Sequence, residues 1–190
     1  MFYTYAMAGG FASAGMFAYI SGSPFVFMKL FSISEKQYGW IFGFNALGLI
    51  MASQLNRAWL QTRSSAQIIL LIGALQFSTG LLLMVATWMH FIDAPGTFIL
   101  IFGYLVMQGF VLPNASALAL EPFARKAGSA SALMGSLQMV SGALASVMVS
   151  YFHNGTALPM AAVMAACTTI GFTTLLTGRV VMRRNFANAI

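Results

Sequence analysis

Residues 127–178 read AGSASALMGSLQMVSGALASVMVSYFHNGTALPMAAVMAACTTIGFTTLLTG, a stretch of 52 residues without a charged side chain. A charge near the centre of a bilayer costs several kcal/mol, and a helix needs roughly 20 residues to cross it. The stretch is therefore long enough for two membrane spans. His153, Asn154 and Gly155, followed by Pro159, supply a turn that divides it.

The remaining long uncharged stretches are each long enough for one further span, and they are 1–28, 37–56, 64–92 and 94–120. The sequence therefore predicts an all-α integral membrane protein, with residues 1–190 forming a single bundle of six transmembrane helices. The expected spans are 3–28, 37–56, 66–90, 96–119, 129–152 and 157–178.

The composition excludes a soluble domain. Of the 190 residues, 59% are hydrophobic and 6% are charged, whereas about 25% of the residues of a soluble domain are charged. The net charge of +6 would suit nucleic acid, but the bases are scattered between apolar runs instead of being gathered on one face. The expected partner is the lipid bilayer, and no nucleic-acid partner is expected.

The distribution of bases predicts the orientation. If both termini are cytoplasmic, seven of the nine bases lie inside: Arg57, Arg63, Arg125, Lys126, Arg179, Arg183 and Arg184. The outer connections then hold Lys29, Glu35, Lys36, His90, Asp93 and His153. This arrangement satisfies the positive-inside rule, and the reverse orientation does not. The first segment lacks the basic start of a cleavable signal, so it is expected to remain as a span.

Aromatic residues near the ends of spans favour the membrane interface, and these are Tyr3, Tyr5, Trp40, Trp59, Trp88 and Tyr151. Tyr19 and Tyr104 do not fit that belt. The informative polar residues within the spans are Asn45, Gln54, Gln76, Gln108, Asn114 and Gln138, because an amide in lipid needs a partner or water.

Asn45 and Asn56 are about three helical turns apart and are expected to share a face with Leu49 and Ala52. That face either lines a cavity or packs against a neighbouring helix. The same two alternatives apply to the stripe of residues Ser131, Gly135, Gln138 and Gly142 on the fifth span.

Gln108 and Asn114 do not share a face in a straight helix, although Pro113 permits a kink between them. At most one of the two is therefore expected to line a cavity. Pro24 lies near the outer end of the first span, where it serves either as a gating hinge or as a simple helix end.

Small residues recur at helical spacing in three rows: Gly39 and Gly43; Gly128, Ala132 and Ser136; and Gly142, Ser146 and Ser150. Such rows let helix backbones approach closely. We interpret them as packing surfaces within this chain.

No acid lies in the middle of a predicted span. Glu121 is the nearest, and its position beside Arg125 and Lys126 favours an ion pair or gate contact over proton coupling. The lone Cys167 gives neither a disulfide framework nor the spacing of metal ligands. No nucleophile, base and orienting residue occur together, so no enzyme, metal site or cofactor is expected.

Several strings together resemble the Bcr/CflA family of the major facilitator superfamily: Tyr19–Val26, Tyr38–Phe42, Asn45–Ile50, Ser53–Asn56, Pro113–Ala115 and Ala127–Leu133, followed by Gln138. The resemblance extends from about residue 2 to residue 178. It implies spans seven to twelve of a twelve-span, proton-coupled drug exporter of the bacterial inner membrane. The six N-terminal spans of such a transporter are missing from this sequence, so the chain is expected to be a fragment or one half of a split transporter.

Major facilitator proteins bind substrate between two six-helix halves near mid-membrane. The resemblance therefore implies three partners, namely a drug-like small molecule, protons and a six-span N-terminal half, with the coupling acids expected mainly in that half. The candidate substrate-binding residues are Tyr19, Phe25, Asn45, Gln108, Asn114 and Gln138, and the candidate gating residues are Pro24 and Glu121. Two alternatives remain open. One is a non-transporting orphan half or truncated relic that acts at most as an assembly partner, and the other is a homodimeric carrier.

Overall fold

The computed structural model describes the backbone of residues 2–187 and the side chains of 2–123 and 126–181. Part of the predicted charge bias depends on Arg125, Arg183 and Arg184, whose side chains lie outside this description. Six long helices make up the bundle: α1 (Phe2–Pro24), α2 (Glu35–Trp59), α3 (Ser65–Trp88), α4 (Ala94–Leu120), α5 (Ala127–Tyr151) and α6 (Leu158–Ala187). A π-helical segment, Phe25–Leu30, follows α1, and a 3₁₀ segment, Glu121–Lys126, precedes α5.

The predicted all-α membrane fold is confirmed. Five of the helices in the described chain are long and apolar enough to cross a membrane, the first of them together with the π segment. The exception is α2, which has 25 residues but is less apolar, since it carries Gln37, Asn45, Gln54 and Asn56. Of these four, Asn45 and Asn56 are buried and have partners on α1 and α4, whereas Gln37 bonds Ser34 at the helix start and Gln54 is exposed.

Side chains at the helix starts define the short connections. The Ser34 side chain accepts a hydrogen bond from the Gln37 amide at 3.4 Å, and Gln37 Oε1 accepts one from the Ser34 amide at 3.2 Å. At the start of α3 half of the same box forms, since the Ser64 amide donates to Gln67 Oε1 at 3.1 Å, while the Gln67 amide donates to the Ser64 backbone carbonyl at 2.9 Å. Both arrangements satisfy amides that the first turn of a helix leaves free, so α2 and α3 begin at fixed positions.

The helices pack in two layers. The first layer has the order α2, α4, α1, α5, while α3 lies behind α4 and α6 lies behind α1. α3 and α6 also pack on each other. As a result α1 and α4 have neighbours on most sides, whereas α2 and α5 form the two edges of the first layer.

The start of α1 and the C-terminal part of α6 lie at one end of the bundle. A methyl group added at Gly178 of α6 would overlap the side chain of Thr4 on α1. The Phe2 ring lies 5.2 Å from the ring of Phe123, next to the connection between α4 and α5. We name this the basic end, because Arg57, Arg63, Lys126 and Arg179 all lie there.

Two crossings bring helices unusually close because a glycine stands at the contact. A methyl group added at Gly109 of α4 would overlap the Leu49 carbonyl oxygen of α2 and lie 2.8 Å from the Cβ of Ala52. A methyl group at Gly15 of α1 would overlap the hydroxyl of Tyr104. Only glycine permits these two approaches without movement of a helix or a ring.

The small-residue rows do not all pack within the chain. A methyl group added at Gly39, Gly43 or Gly128 would have no neighbour within 4 Å among the described residues. Ala132 and Ser136 are exposed as well. The interpretation of these two rows as internal packing surfaces is therefore wrong, because α2 and α5 are edge helices.

The third row behaves largely as expected. A methyl group added at Gly142 would lie 2.5 Å from the Phe17 ring of α1, and the Ser146 hydroxyl donates to the Phe17 carbonyl at 3.4 Å. Only Ser150, at the end of the row, is exposed. This row fixes α5 against α1.

Pro24 is not a simple helix end. The chain continues past it as the π-helical segment, in which the Phe31 amide donates to the Val26 carbonyl, five residues back, at 3.1 Å. Because proline lacks an amide hydrogen, it disturbs the regular ladder, and the chain resumes with a wider turn. The α-helical part of α1 thus ends at Pro24 while the chain stays helical, and the role of Pro24 as a hinge stays a proposal.

Candidate functional site

A buried hydrogen bond joins α2 to α1. The Asn45 amide nitrogen donates to the Tyr19 hydroxyl at 3.0 Å, and both side chains are buried. The Tyr19 ring also stacks on Phe42, with ring centroids 6.0 Å apart. The Asn45 side-chain oxygen has no partner among the described atoms. Sequence reasoning named both Asn45 and Tyr19 but gave no reason to pair them.

A second bond joins α2 to α4. The Asn114 amide nitrogen donates to the Asn56 side-chain oxygen at 2.6 Å and to the Phe110 carbonyl at 2.8 Å. Asn45, Ala52 and Asn56 occupy one buried face of α2, as predicted, but Leu49 is only half-buried and Gly48 completes the buried face. This face packs against neighbouring helices, which is the second of the two alternatives left open for it.

A third bond joins α3 to α4. The Gln76 amide nitrogen donates to the Gln108 side-chain oxygen at 2.7 Å and to the Tyr104 carbonyl at 3.3 Å. Gln108 and Asn114 thus point to different helices, as expected for two residues that do not share a face. Both side chains are 0% exposed, so neither lines an open cavity in this conformation.

We call these three hydrogen-bonded contacts between helices the bridges, and some of their polar atoms have no partner in the described part of the chain. Four buried polar atoms, each in a bridge or next to one, have no partner among the described atoms: Asn45 Oδ1, Tyr104 Oη, Gln108 Nε2 and Asn114 Oδ1. An unpaired polar atom in a low-dielectric interior costs free energy. It also keeps the capacity to bond a second group, so the same amides can serve another arrangement of the helices or contact a polar ligand.

Phe25 and Gln138 lie apart from the bridges. The Phe25 ring stands edge-on to the His153 ring at 4.3 Å, at the end of the bundle opposite the basic end. It lines a cavity of about 220 Å³ between α1, α5 and α6. Gln138 is half-buried on α5, and its side-chain nitrogen lies 3.5 Å from the position of a methyl group added at Gly9 of α1.

The candidate gating residues also lie apart. Pro24 is half-buried where α1 passes into the π segment, whereas Glu121 is exposed at the basic end. Among the described side chains, the only direct hydrogen bond between two of the candidate residues joins Tyr19 and Asn45. The candidates therefore surround the junction of several helices and do not form one cluster.

Sequence reasoning missed the roles of three residues that complete the bridges, namely Asn56, Gln76 and Tyr104. A signal was present for Tyr104, since a tyrosine far from the membrane interface needs a special environment for its hydroxyl. The polar residues that are buried in the described part of the chain carry hydroxyls or amides and no formal charge. No group of three or more potential metal ligands occurs among the described residues.

No protein-family model matches this chain. The chain is 34% identical over 175 residues to the uncharacterized MFS-type transporter YdgK of Bacillus subtilis, a match that covers 90% of this chain and 42% of that protein. It is 30% identical over 170 residues to a bicyclomycin resistance protein homolog of Haemophilus influenzae, covering 87% of this chain and 42% of that protein. The chain thus spans less than half the length of these relatives. Both matches fall in the relatives' C-terminal halves, and this six-helix bundle is therefore a homologue of the C-terminal half of major facilitator transporters.

Proposed function

We propose that this bundle is the C-terminal half of a proton-coupled multidrug exporter, which moves drug-like small molecules out of the cell. The similarity to a bicyclomycin resistance protein homolog supports the substrate class. The observation that carries the proposal is the pair of exposed small-residue rows on α2 and α5, where nothing lies within 4 Å of a methyl group added at Gly43 or Gly128.

The partner is a second bundle of six helices that packs against these edges. Exposed apolar side chains alone do not indicate a partner, because lipid also favours them. Small residues favour a partner helix over lipid, because they allow another helix backbone to approach closely. A partner seated on both α2 and α5 would enclose a space in front of α1 and α4, where the substrate would bind.

The substrate contacts proposed here are Tyr19, Phe25, Asn45, Gln108, Asn114 and Gln138. Aromatic rings attract apolar and cationic molecules, and amides with unpaired atoms supply adaptable hydrogen bonds. Pro24, with the π segment that follows it, is the proposed hinge, and Glu121 is the proposed gate contact at the basic end. The coupling proton would bind an acid of the other half.

The proposed location is the bacterial inner membrane, with the basic end in the cytoplasm. The bases at this end outnumber those at the opposite end, which is the pattern of the positive-inside rule. Both termini are then cytoplasmic.

The test measures ethidium accumulation in a bacterium that lacks its own efflux pumps. We expect this chain to lower accumulation only when a six-helix N-terminal half, taken from the Haemophilus influenzae relative, is supplied as a second chain. A proton uncoupler should abolish the effect. A lowered accumulation with this chain alone would favour the homodimeric carrier, while no effect in either case would favour the non-transporting half.

The site assignment makes a separate prediction. Asn45→Ala and Gln138→Ala should each raise the apparent KM for ethidium export by about three- to tenfold, since each removes one hydrogen-bonding group. Thr173→Ala is the control, because the exposed Thr173 hydroxyl donates only to the backbone of its own helix. Unchanged export by both variants would show that these amides do not contact the substrate.

A further inference from the structure

A cavity of about 420 Å³ lies at the basic end, where α2 turns into α3. Its lining comes from the end of α2, the connection and the first two turns of α3: Trp59, Thr62, Arg63, Gln67, Ile68 and Leu71. None of the candidate residues for export lines it. The cavity belongs to the outer side of the bundle, since α3 lies in the second layer.

The lining has two chemically different parts. Thr62, Arg63 and Gln67 supply hydroxyl, guanidinium and amide groups next to the connection. Ile68 and Leu71 extend the wall along α3 towards the membrane interior, and Leu71 is 53% exposed. The Trp59 ring lies at the end of α2 and is 43% exposed, and its centroid is 5.3 Å from that of the Phe110 ring on α4. A ligand that fills this cavity must therefore be polar at one end and apolar at the other.

The charge of the site favours an anion. Arg63 is the only charged residue in the lining, and its planar guanidinium can donate two parallel hydrogen bonds to a phosphate. Arg57, Lys126 and Arg179 raise the positive charge of the same end of the bundle. Of the acids in the chain, Glu35 and Asp93 lie at the opposite end, and Glu121 is outside the lining.

We propose that this cavity binds an anionic phospholipid of the surrounding leaflet. The phosphate bonds to Arg63 at the membrane boundary, and the upper part of one acyl chain lies along Ile68 and Leu71. Because Ile68 and Leu71 extend towards the membrane interior, a phospholipid of the leaflet can bring its phosphate to Arg63 while its acyl chain lies along this wall. Basic pockets between transmembrane helices commonly hold anionic headgroups in this way. The proposal does not depend on export or on the second bundle.

The first test uses native mass spectrometry of the purified full chain with phosphatidylglycerol and phosphatidylcholine. Arg63→Gln should weaken the retention of phosphatidylglycerol by about tenfold, because the charge-assisted bonds to the phosphate are lost. Arg57→Gln is the matched control. It removes the same charge from an exposed residue at the same end but outside the cavity, and it should change retention by less than about twofold.

Three results would overturn the proposal. Equal losses in Arg57→Gln and Arg63→Gln would indicate attraction to the basic end as a whole. Unchanged retention of phosphatidylglycerol by Arg63→Gln would show that Arg63 does not bind its phosphate. Displacement of the lipid by an excess of inorganic phosphate would indicate a site for a soluble anion.

A second measurement leaves Arg63 in place, so it holds even if Arg63→Gln does not fold. In a Trp40→Phe/Trp88→Phe background, Trp59 is the only tryptophan of the chain. Phosphatidylglycerol with brominated acyl chains should quench its fluorescence more strongly than brominated phosphatidylcholine at the same mole fraction. Equal quenching by the two lipids would contradict a preference for the anionic headgroup.

Discussion

Gly109→Ala should destabilise the bundle by about 1–3 kcal/mol, the usual cost of forcing an extra carbon into a packed contact. The added methyl group would overlap the Leu49 carbonyl oxygen and lie 2.8 Å from the Ala52 Cβ and 3.1 Å from the Ser53 amide nitrogen. Two of these three atoms belong to the backbone of α2 and cannot be relieved by a change of rotamer. The helices α2 and α4 must therefore separate.

The measurement is equilibrium unfolding of the purified protein in increasing denaturant, followed by circular dichroism. Gly103→Ala is the matched control, since it makes the same change on α4 at a position with no described neighbour within 4 Å. It should leave the free energy of unfolding unchanged or raise it slightly, because alanine is the better helix former. Equal destabilisation by the two variants would show that helix propensity, and not the crossing with α2, explains the effect.

The second large effect is expected at the edges of the first layer. Gly43→Trp on α2 and Ala132→Trp on α5 should each lower drug export by about tenfold or more, because a bulky ring prevents close approach of the second bundle. The isolated chain should remain as stable as before, since both positions are exposed within this bundle. The prediction depends on the proposed function.

The experiment pairs ethidium export with the stability of the isolated chain. Leu75→Trp on α3 is the control, because Leu75 is also exposed but lies on a helix of the second layer. It should leave export unchanged. Loss of export in all three variants would indicate a general effect of tryptophan on membrane insertion, and loss in none would place the partner elsewhere.

Much of the fold can be predicted because charge is so costly in lipid. The positions of twelve charged residues are enough to indicate six helices, and an eleven-residue spacing is enough to place Asn45 and Asn56 on one buried face. The two tyrosines that did not fit the predicted aromatic belt were also informative. Tyr19 and Tyr104 lie outside it, and the structure buries both, but it also buries Tyr5, which the sequence placed in the belt.

The sequence does not predict which amide side chains pair with each other. Gln76 and Gln108 are 32 positions apart on different helices, and periodicity along one helix gives no information about which neighbour it meets. For the same reason, the sequence did not show that two of the small-residue rows are exposed on the surface of this bundle. A row of glycine and serine shows that a close approach is possible, but it does not show whether the approaching helix belongs to this chain, as it does for Gly142, or to another bundle.

The π-helical turn at Phe25–Leu30 also has an evolutionary consequence. Such a turn holds one residue more than the α-helical turn that it replaces. A descendant gene that lost one codon here would therefore encode a regular α-helical turn, and the part of α1 before it would keep its orientation, because the turn itself absorbs the extra residue. Only the side chains within the turn, among them Phe25, would face new neighbours. A single deletion at this turn can thus redirect Phe25, a proposed substrate contact, without any substitution and without disturbing the rest of α1.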